Sequence, residues 1–134
     1  MAPGAILCFP VHTKGGLLYI GDCHATQGDG ELSGGAVEQR ATATLEVNVI
    51  RGWSSARPPL ETENLFTMIG SVRLLEDASR SAYRVLVRWM SADYGFDEID
   101  AYMLLSQAGR IRLGNMVDPK VTVGASIIRK YLAS

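Results

Sequence analysis

Cysteine is scarce in this sequence, and its scarcity limits the classes of protein to which the chain can belong. Only Cys8 and Cys23 occur among 134 residues, whereas small secreted domains held together by disulfides carry more. The first residues, Met-Ala-Pro-Gly, lack the basic region and the apolar run of a signal peptide. We therefore expect a cytoplasmic protein with reduced thiols.

The chain also lacks an excess of charge and a long apolar run. Its 13 basic and 14 acidic residues give a formal net charge of −1, so we expect neither nucleic acid nor an anionic membrane as a partner. No apolar stretch approaches the roughly 20 residues that cross a bilayer. Hydrophobic residues make up 47% of the chain, which is ordinary for a globular protein. The length favours one domain with a real core.

Histidine is as scarce as cysteine, and one of the two histidines lies in an unusual stretch. Residues 21–31 concentrate groups that can bind a metal or transfer a proton, namely Asp22, Cys23, His24, Asp29 and Glu31. Glycines within this stretch allow the backbone to bend around them. An apolar run precedes it, so the pattern is typical of a site at the end of a buried strand. The other histidine, His12, is predicted to be structural.

The first 52 residues read mainly as β-structure. Residues 5–11 and 17–22 are short apolar runs around a Lys-Gly-Gly turn, and they predict a hairpin. Residues 42–49 alternate polar and apolar side chains, which predicts a half-buried antiparallel strand. On this interpretation Glu38 and Glu46 lie on its solvated face. Residues 53–63 are rich in proline, serine and charge and predict a connecting loop.

Helices and short strands are predicted for residues 64–134. Residues 65–71 favour a strand. Apolar residues then recur at helical spacing from Leu74 to Met90, and Gly95 is a suitable terminator. A second helix is predicted from the N-cap Asp97 to about Gly109, followed by strands at 110–113 and 121–128. The order predicts an α+β fold, with an antiparallel β-sandwich-like N-terminal part (1–52), a connecting loop (53–63) and a small α+β part (64–134).

The spacing of the site residues leaves two interpretations open. If residues 22–24 continue a strand, Asp22 and His24 share a face and can hold a metal or form a hydrogen-bonded pair, while Cys23 points away. Glu31 could return to the same place after the turn and serve as a general base. Alternatively, His24 only bonds to backbone and Asp29 only forms a turn.

The stretch 21–31, Gly-Asp-Cys-His-Ala-Thr-Gln-Gly-Asp-Gly-Glu, resembles the signature of the acetamidase/formamidase family, which is roughly Gly-Asp-x-His-Ala-x-Gln-Gly-Asp-Gly-Glu. The similarity extends to segments on both sides, at residues 10–11, 16–19, 34–38, 61–62, 67–68, 101–104 and 117–119. It covers nearly the whole chain. Cys23, Ser33 and Gly35 depart from the usual residues of the family.

The resemblance implies hydrolysis of a short-chain linear amide, such as formamide or acetamide, to a carboxylic acid and ammonia. It also implies a divalent metal, preferably zinc. By the motif, Asp22 and His24 become the expected metal ligands and Glu31 and Asp29 the expected catalytic carboxylates. Gln27 and Gly28 are expected either to contact the substrate or to support the metal ligands from behind. A metal-activated water would attack the amide carbon, and a carboxylate would move the proton to the leaving amine.

The chain resembles only the C-terminal half of that family, which leaves three hypotheses for its role. It could be one subunit of a split amidase whose partner chain supplies the N-terminal half of the site. It could be a non-catalytic relative that binds a metal or a small molecule or serves as an interaction module. It could also self-associate as a homo-oligomer that completes the sandwich. A few strands left alone would expose their edges, which favours a partner of some kind.

Overall fold

A computed structural model describes residues 1–53 and 55–132, which form one antiparallel sheet with two helices. The strands are β1 (Ile6–Leu7), β2 (Pro59–Glu61), β3 (Leu65–Val72), β4 (Arg110–Asn115) and β5 (Val121–Ile128), in the spatial order β1-β2-β3-β5-β4. The helices α1 (Leu75–Tyr94) and α2 (Glu98–Ala108) connect β3 to β4, and a 3-10 turn (Arg129–Tyr131) follows β5. The predicted α+β class is confirmed.

The core lies between the two central strands and α1. β3 and β5 pair along their full length, from Leu65 opposite Ile128 to Val72 opposite Val121. Alternate residues of both strands point to one face, where Phe66, Met68, Val123, Ala125 and Ile127 are buried. α1 covers this face with a stripe at helical spacing, consisting of Ala78, Ala82, Leu86 and Met90, each with no exposed surface.

Gly70 allows α1 to approach the sheet closely. A Cβ at this position of β3 would collide with the backbone carbonyl of Ala78 and lie 3.0 Å from the backbone nitrogen of Ala82. Because both neighbours belong to the backbone of α1, they could retreat only if the helix moved. The small side chains of α1 at this contact serve the same close packing.

The predicted end of α1 and the predicted start of α2 are both confirmed. Gly95 follows α1 in the left-handed conformation, with φ of 70°, and its N–H bonds back to the last turn. The side chain of Asp97 caps α2 by accepting hydrogen bonds from the backbone N–H groups of Ile99 and Asp100. The strands predicted at 65–71, 110–113 and 121–128 are also present as β3, β4 and β5.

Two of the strand arrangements predicted for the first 52 residues do not form. The predicted hairpin between residues 5–11 and 17–22 does not form, because β1 pairs with β2 instead. The predicted strand at residues 42–49 has no pairing among the described residues, and both parities of its side chains are exposed. β2 also lies within the segment predicted as a loop. The division into a β part and an α+β part at this segment stays a prediction.

Within residues 1–53 and 55–132, no helix has both the length and the apolarity to cross a bilayer.

Candidate metal centre

A β-bridge outside the sheet brings the motif region and a later part of the chain together. His24 lies opposite Glu38 in an antiparallel bridge. The flanking backbone bonds run from the Ala25 N–H to the Val37 carbonyl (2.9 Å) and from the Gln39 N–H to the Cys23 carbonyl (3.0 Å). Residues that face each other in such a bridge hold their side chains close together on one side of the backbone. The bridge therefore places the Glu38 carboxylate beside the His24 imidazole.

The glycine-rich loop after His24 is attached to the edge strand β4. The Gly30 N–H donates to the Leu113 carbonyl (3.1 Å), and the Met116 N–H donates to the Gly30 carbonyl (2.7 Å). Gly30 has a φ of 95°, and a Cβ there would lie 2.9 Å from the Leu113 side chain, so the position requires glycine. Arg112 adds an ion pair with Asp29, with 2.7 Å between Nε and Oδ1. These contacts fix the loop relative to the sheet.

Three side chains surround the His24 imidazole. Its Nε2 lies 3.1 Å from Asp22 Oδ1 and 3.3 Å from Glu38 Oε1, and its Nδ1 lies 3.0 Å from Gln27 Oε1. Asp22 reaches this position from a left-handed backbone conformation, with φ of 59°, which aspartate tolerates better than most residues. The imidazole is 7% exposed, whereas the side chains of Asp22 and Glu38 are 80% and 62% exposed. The cluster is therefore closed behind the imidazole and open at the carboxylates.

Gln27 determines which nitrogen of His24 carries a proton in the neutral ring. The Gln27 amide nitrogen donates to the carbonyl of Gly114 at 3.1 Å, and a carbonyl can only accept. The Gln27 oxygen must therefore face His24, where it can only accept from Nδ1–H. In the neutral imidazole this leaves the lone pair on Nε2, the nitrogen that faces Asp22 and Glu38.

The pKa of His24 is raised above its ordinary value by its neighbours. Partial desolvation acts in the opposite direction, but the hydrogen bonds to Asp22 and Gln27 and the negative charge of Glu38 outweigh it. Two carboxylates facing one imidazole nitrogen favour any positive charge placed between them. A proton satisfies this arrangement, and a divalent cation would satisfy it more fully.

The donor set fits a divalent metal. One ligand atom from each of Asp22, His24 and Glu38 can lie within 4.8 Å of the other two. Ligands about 2.0–2.2 Å from a tetrahedral zinc ion stand roughly 3.3–3.6 Å from one another, and the observed Nε2–oxygen separations of 3.1 and 3.3 Å are close to this. An imidazole with two carboxylates suits zinc and neighbouring borderline metals. Among the residues that the structure describes, no other group of three or more acidic, histidine or cysteine side chains meets the same distance condition.

The structure brings some of the sequence-predicted residues together and separates others. Asp22 and His24 lie together, although Asp22 reaches His24 from a left-handed conformation and not from a regular strand, and Gln27 also contacts His24. Asp29 is engaged with Arg112, and Gly28 has open space where a Cβ would be. Glu31 is half-buried, outside the cluster of three. The roles assigned to these residues stay predictions.

Glu38 is the residue whose contact with the centre the sequence interpretation missed. Its parity with residues 42–49 suggested a solvated position on a strand face, and its side chain is indeed 62% exposed, but its carboxylate also contacts the His24 ring. The predicted strand, which would have carried it, does not form around it. The motif itself contains no sign of Glu38, which comes from 14 residues further along the chain, and only the antiparallel bridge reveals the contact.

Comparison with known proteins assigns the chain to a family. The sequence model of the Acetamidase/Formamidase family matches residues 1–128. The crystal structure of an acetamidase from Yersinia enterocolitica is similar over 100% of this chain and 41% of its own, with 52% identity and a TM-score of 0.97. The crystal structure of an acetamidase from Bacillus halodurans is similar over 96% of this chain and 44% of its own, with 28% identity and a TM-score of 0.82. That of a predicted acetamidase/formamidase from Thermoanaerobacter tengcongensis is similar over 98% of this chain and 44% of its own, with 27% identity and a TM-score of 0.84. The chain thus spans less than half the length of these relatives, and it belongs to the acetamidase/formamidase family.

Proposed function

We propose that this chain carries the metal-holding part of a site that hydrolyses short linear amides, of the formamide or acetamide type, to an acid and ammonia. The observation that supports this most directly is the convergence of Asp22, His24 and Glu38 on one point. The family and the acetamidase named among the relatives supply the substrate class. Metal dependence is part of the proposal.

In this proposal Asp22, His24 and Glu38 hold the ion, and zinc is the metal that suits the donors best. When bound, a divalent metal polarises the amide carbonyl and lowers the pKa of water. Gln27 keeps the Nε2 lone pair of His24 directed at the ion, and the attachment of Gln27 to Gly114 keeps the imidazole in place.

The carboxylates of the loop differ in their availability for proton transfer. Asp29 is held by Arg112, so we assign it to positioning the glycine-rich loop. Glu31 is half-buried and follows Gly30, which is bonded to β4. We therefore propose Glu31 as the group that moves a proton to the leaving amine.

A second candidate function is a metal- or small-molecule-binding module without turnover. The exposure of Asp22 and Glu38, at 80% and 62%, favours it for the chain by itself, because hydrolytic sites enclose their substrates and restrict water. On the first proposal, the open side is covered by a part corresponding to the rest of the relatives' length. The two candidates share the metal cluster and differ in whether amide is turned over.

The experiment compares two histidine variants of the chain. His24→Ala removes the central donor, whereas His12→Ala removes the other histidine, which is exposed, and serves as the matched control. Zinc affinity is measured by competition with a chromophoric chelator after treatment with EDTA, and ammonia release from formamide and acetamide is measured in parallel. We expect zinc affinity to fall at least tenfold in His24→Ala and to stay unchanged in His12→Ala.

Each result decides a separate part of the proposal. Equal zinc affinity in the two variants and the parent chain would refute the metal role. Zinc binding that depends on His24 without ammonia release by the chain alone or with the remaining part of a relative would favour the binding module. Ammonia release that is lost in His24→Ala, and reduced in Glu31→Gln while zinc stays bound, would support the hydrolase.

A further inference from the structure

Two segments leave the His24–Glu38 bridge with backbones that are unpaired over most of their length among the described residues. Residues 16–23 lead into the bridge, starting and ending in left-handed conformations at Gly16, Leu17 and Asp22, and residues 39–50 lead away from it. We call them the entry arm and the exit arm. Among the described residues, no backbone-to-backbone hydrogen bond involves residues 18–22 or 40–50. Such segments present rows of free N–H and carbonyl groups, as the edge strands of a sheet do.

The two arms do not satisfy each other. An antiparallel ladder that continued from the His24–Glu38 bridge would exchange backbone hydrogen bonds between residues 21 and 41 and between residues 19 and 43. None of these bonds forms among the described residues. Asp22 provides the reason, since its φ of 59° lies outside the extended region that a ladder requires. Each arm is therefore left with its own unpaired edge.

The arms also expose apolar side chains in a pattern that predicts burial. Leu45, Val47 and Val49 alternate with polar residues along the exit arm, and 49%, 67% and 79% of their surfaces are exposed. In the entry arm Leu18 and Tyr19 are 58% and 86% exposed. Single exposed apolar residues are ordinary, but runs of them on unpaired edges mark an interaction surface.

The comparison with the acetamidase from Yersinia enterocolitica indicates what covers this surface. A TM-score of 0.97 over 100% of the chain leaves no room for either arm to follow a different path in that crystal structure. The matched region is 41% of that protein, so there the arms follow the same path in the presence of a larger remaining part. An unpaired arm has no hydrogen bonds of its own to offset the conformational-entropy cost of being held in one path. This favours the remaining part of the relative as the partner that holds it.

We propose that the entry and exit arms are the docking surface for a polypeptide equivalent to the larger remaining part of the relatives' chain. This polypeptide adds strands to the free edges and buries Leu45, Val47 and Val49. Because the arms meet at the bridge that carries His24 and Glu38, the same docking covers the exposed carboxylates. That last consequence rests on the proposed function, whereas the docking itself does not.

The test uses the remaining part of the Yersinia enterocolitica acetamidase as the probe, co-expressed with this chain. All measurements are made in EDTA and without amide, so a failure of the metal or amidase proposal cannot affect them. We expect a one-to-one complex by size-exclusion chromatography with light scattering. Hydrogen exchange of the chain alone should show unprotected amides at 41–50 beside protected amides in β3 and β5, and the complex should protect 41–50.

Two charge-introducing variants separate docking from general effects. Val47→Asp places a carboxylate on the exit arm, and Tyr102→Asp places one at a residue of α2 that is 62% exposed. We expect Val47→Asp to weaken the complex at least tenfold. The complex would lose the apolar contact of a valine that docking buries, and it would have to desolvate a carboxylate instead. Tyr102→Asp should bind like the parent chain. Both variants should retain protection in β3 and β5.

Three outcomes would overturn the proposal. The first is recovery of the probe only in the insoluble fraction, or its separation from the chain during purification. The second is a homodimer of the chain alone with protected amides at 41–50, which would make a second copy the occupant. The third is a complex that Val47→Asp and Tyr102→Asp weaken equally, which would place the contact elsewhere.

Discussion

Gln27 provides a sharp test of how the candidate metal centre is built, because it does not touch the proposed ion. Its amide links the Gly114 carbonyl of β4 to Nδ1 of His24, over 3.1 and 3.0 Å. In Gln27→Leu the side chain keeps a similar length and loses both hydrogen bonds. We expect the His24 ring to lose its fixed orientation and its preference for a proton on Nδ1, while Asp22 and Glu38 remain in place.

The size of the effect follows from the role of such outer partners. Loss of the group that orients a metal-binding histidine typically weakens metal affinity about 10- to 100-fold, which corresponds to roughly 1.4–2.7 kcal/mol. Competition with a chromophoric chelator measures the affinity for zinc. Nitrogen-15 NMR of the imidazole in the metal-free chain, at a pH where the ring is neutral, reports the tautomer directly. The two readouts should change together.

Gln107→Leu is the matched control for this prediction. It makes the same chemical change at an exposed position of α2, away from the contacts of the centre, and should leave zinc affinity and the tautomer unaltered. An unchanged zinc affinity in Gln27→Leu would refute the argument that Gln27 orients His24 for metal. A changed affinity with an unchanged tautomer would show that Gln27 acts by another route.

The remaining predictions concern stability and thiol reactivity. Gly70→Ala should destabilise the chain by about 1–3 kcal/mol in urea unfolding, because its Cβ would collide with the backbone of α1. Asp97→Ala should cost about 1 kcal/mol by the same assay, since the α2 cap is lost. Burial and the charge of Glu61 raise the pKa of the Cys8 thiol, so its alkylation by iodoacetamide should accelerate only at higher pH than for an ordinary thiol. Glu61→Gln should shift that rise to lower pH.

Each of these has its own control. Gly21→Ala is the reference for Gly70, because a Cβ there meets no atom within 4 Å, and equal stabilities of the two variants would contradict the packing argument. For Asp97, Asp97→Asn should retain most of the stability, and a loss as large as that in Asp97→Ala would argue against capping. Alkylation is followed in a Cys23→Ser background, and a pH profile of Cys8 that Glu61→Gln leaves unmoved would rule out the carboxylate as a cause.

The helices and central strands could be predicted from the sequence because local signals and burial agree in them. In α1 the helical spacing, the stripe of small and apolar residues and the terminator Gly95 all favour one structure. The cap Asp97 does the same for α2. An alternating pattern does not by itself decide the structure, because a strand also needs a partner. Residues 42–49 have the alternation of a strand, but no strand within residues 1–53 and 55–132 pairs with them.

The candidate centre was predictable only in the part that lies within one stretch of sequence. Asp22 and His24 are close in sequence and were expected to be neighbours, although on a strand that does not form there, whereas the contact of Gln27 with His24 was not predicted. Glu38 requires the antiparallel bridge, and the link from Gln27 to Gly114 requires the whole fold to bring residues 27 and 114 together. Contacts of this kind are set by tertiary structure, which local patterns do not encode.

The backbone conformation of Asp22 connects the proposed metal centre with the proposed docking surface. Its left-handed φ brings a carboxylate oxygen to the imidazole of His24, and the same angle stops the ladder after one bridge. A regular strand at this point would place Asp22 and His24 on one face but would also pair the two arms with each other. The inner edges of both arms would then be occupied, and a partner could join only their outer edges. The left-handed Asp22 therefore contributes to the ligand cluster and also leaves the inner edges beside it unpaired, so a polypeptide that binds these edges approaches the open side of the cluster.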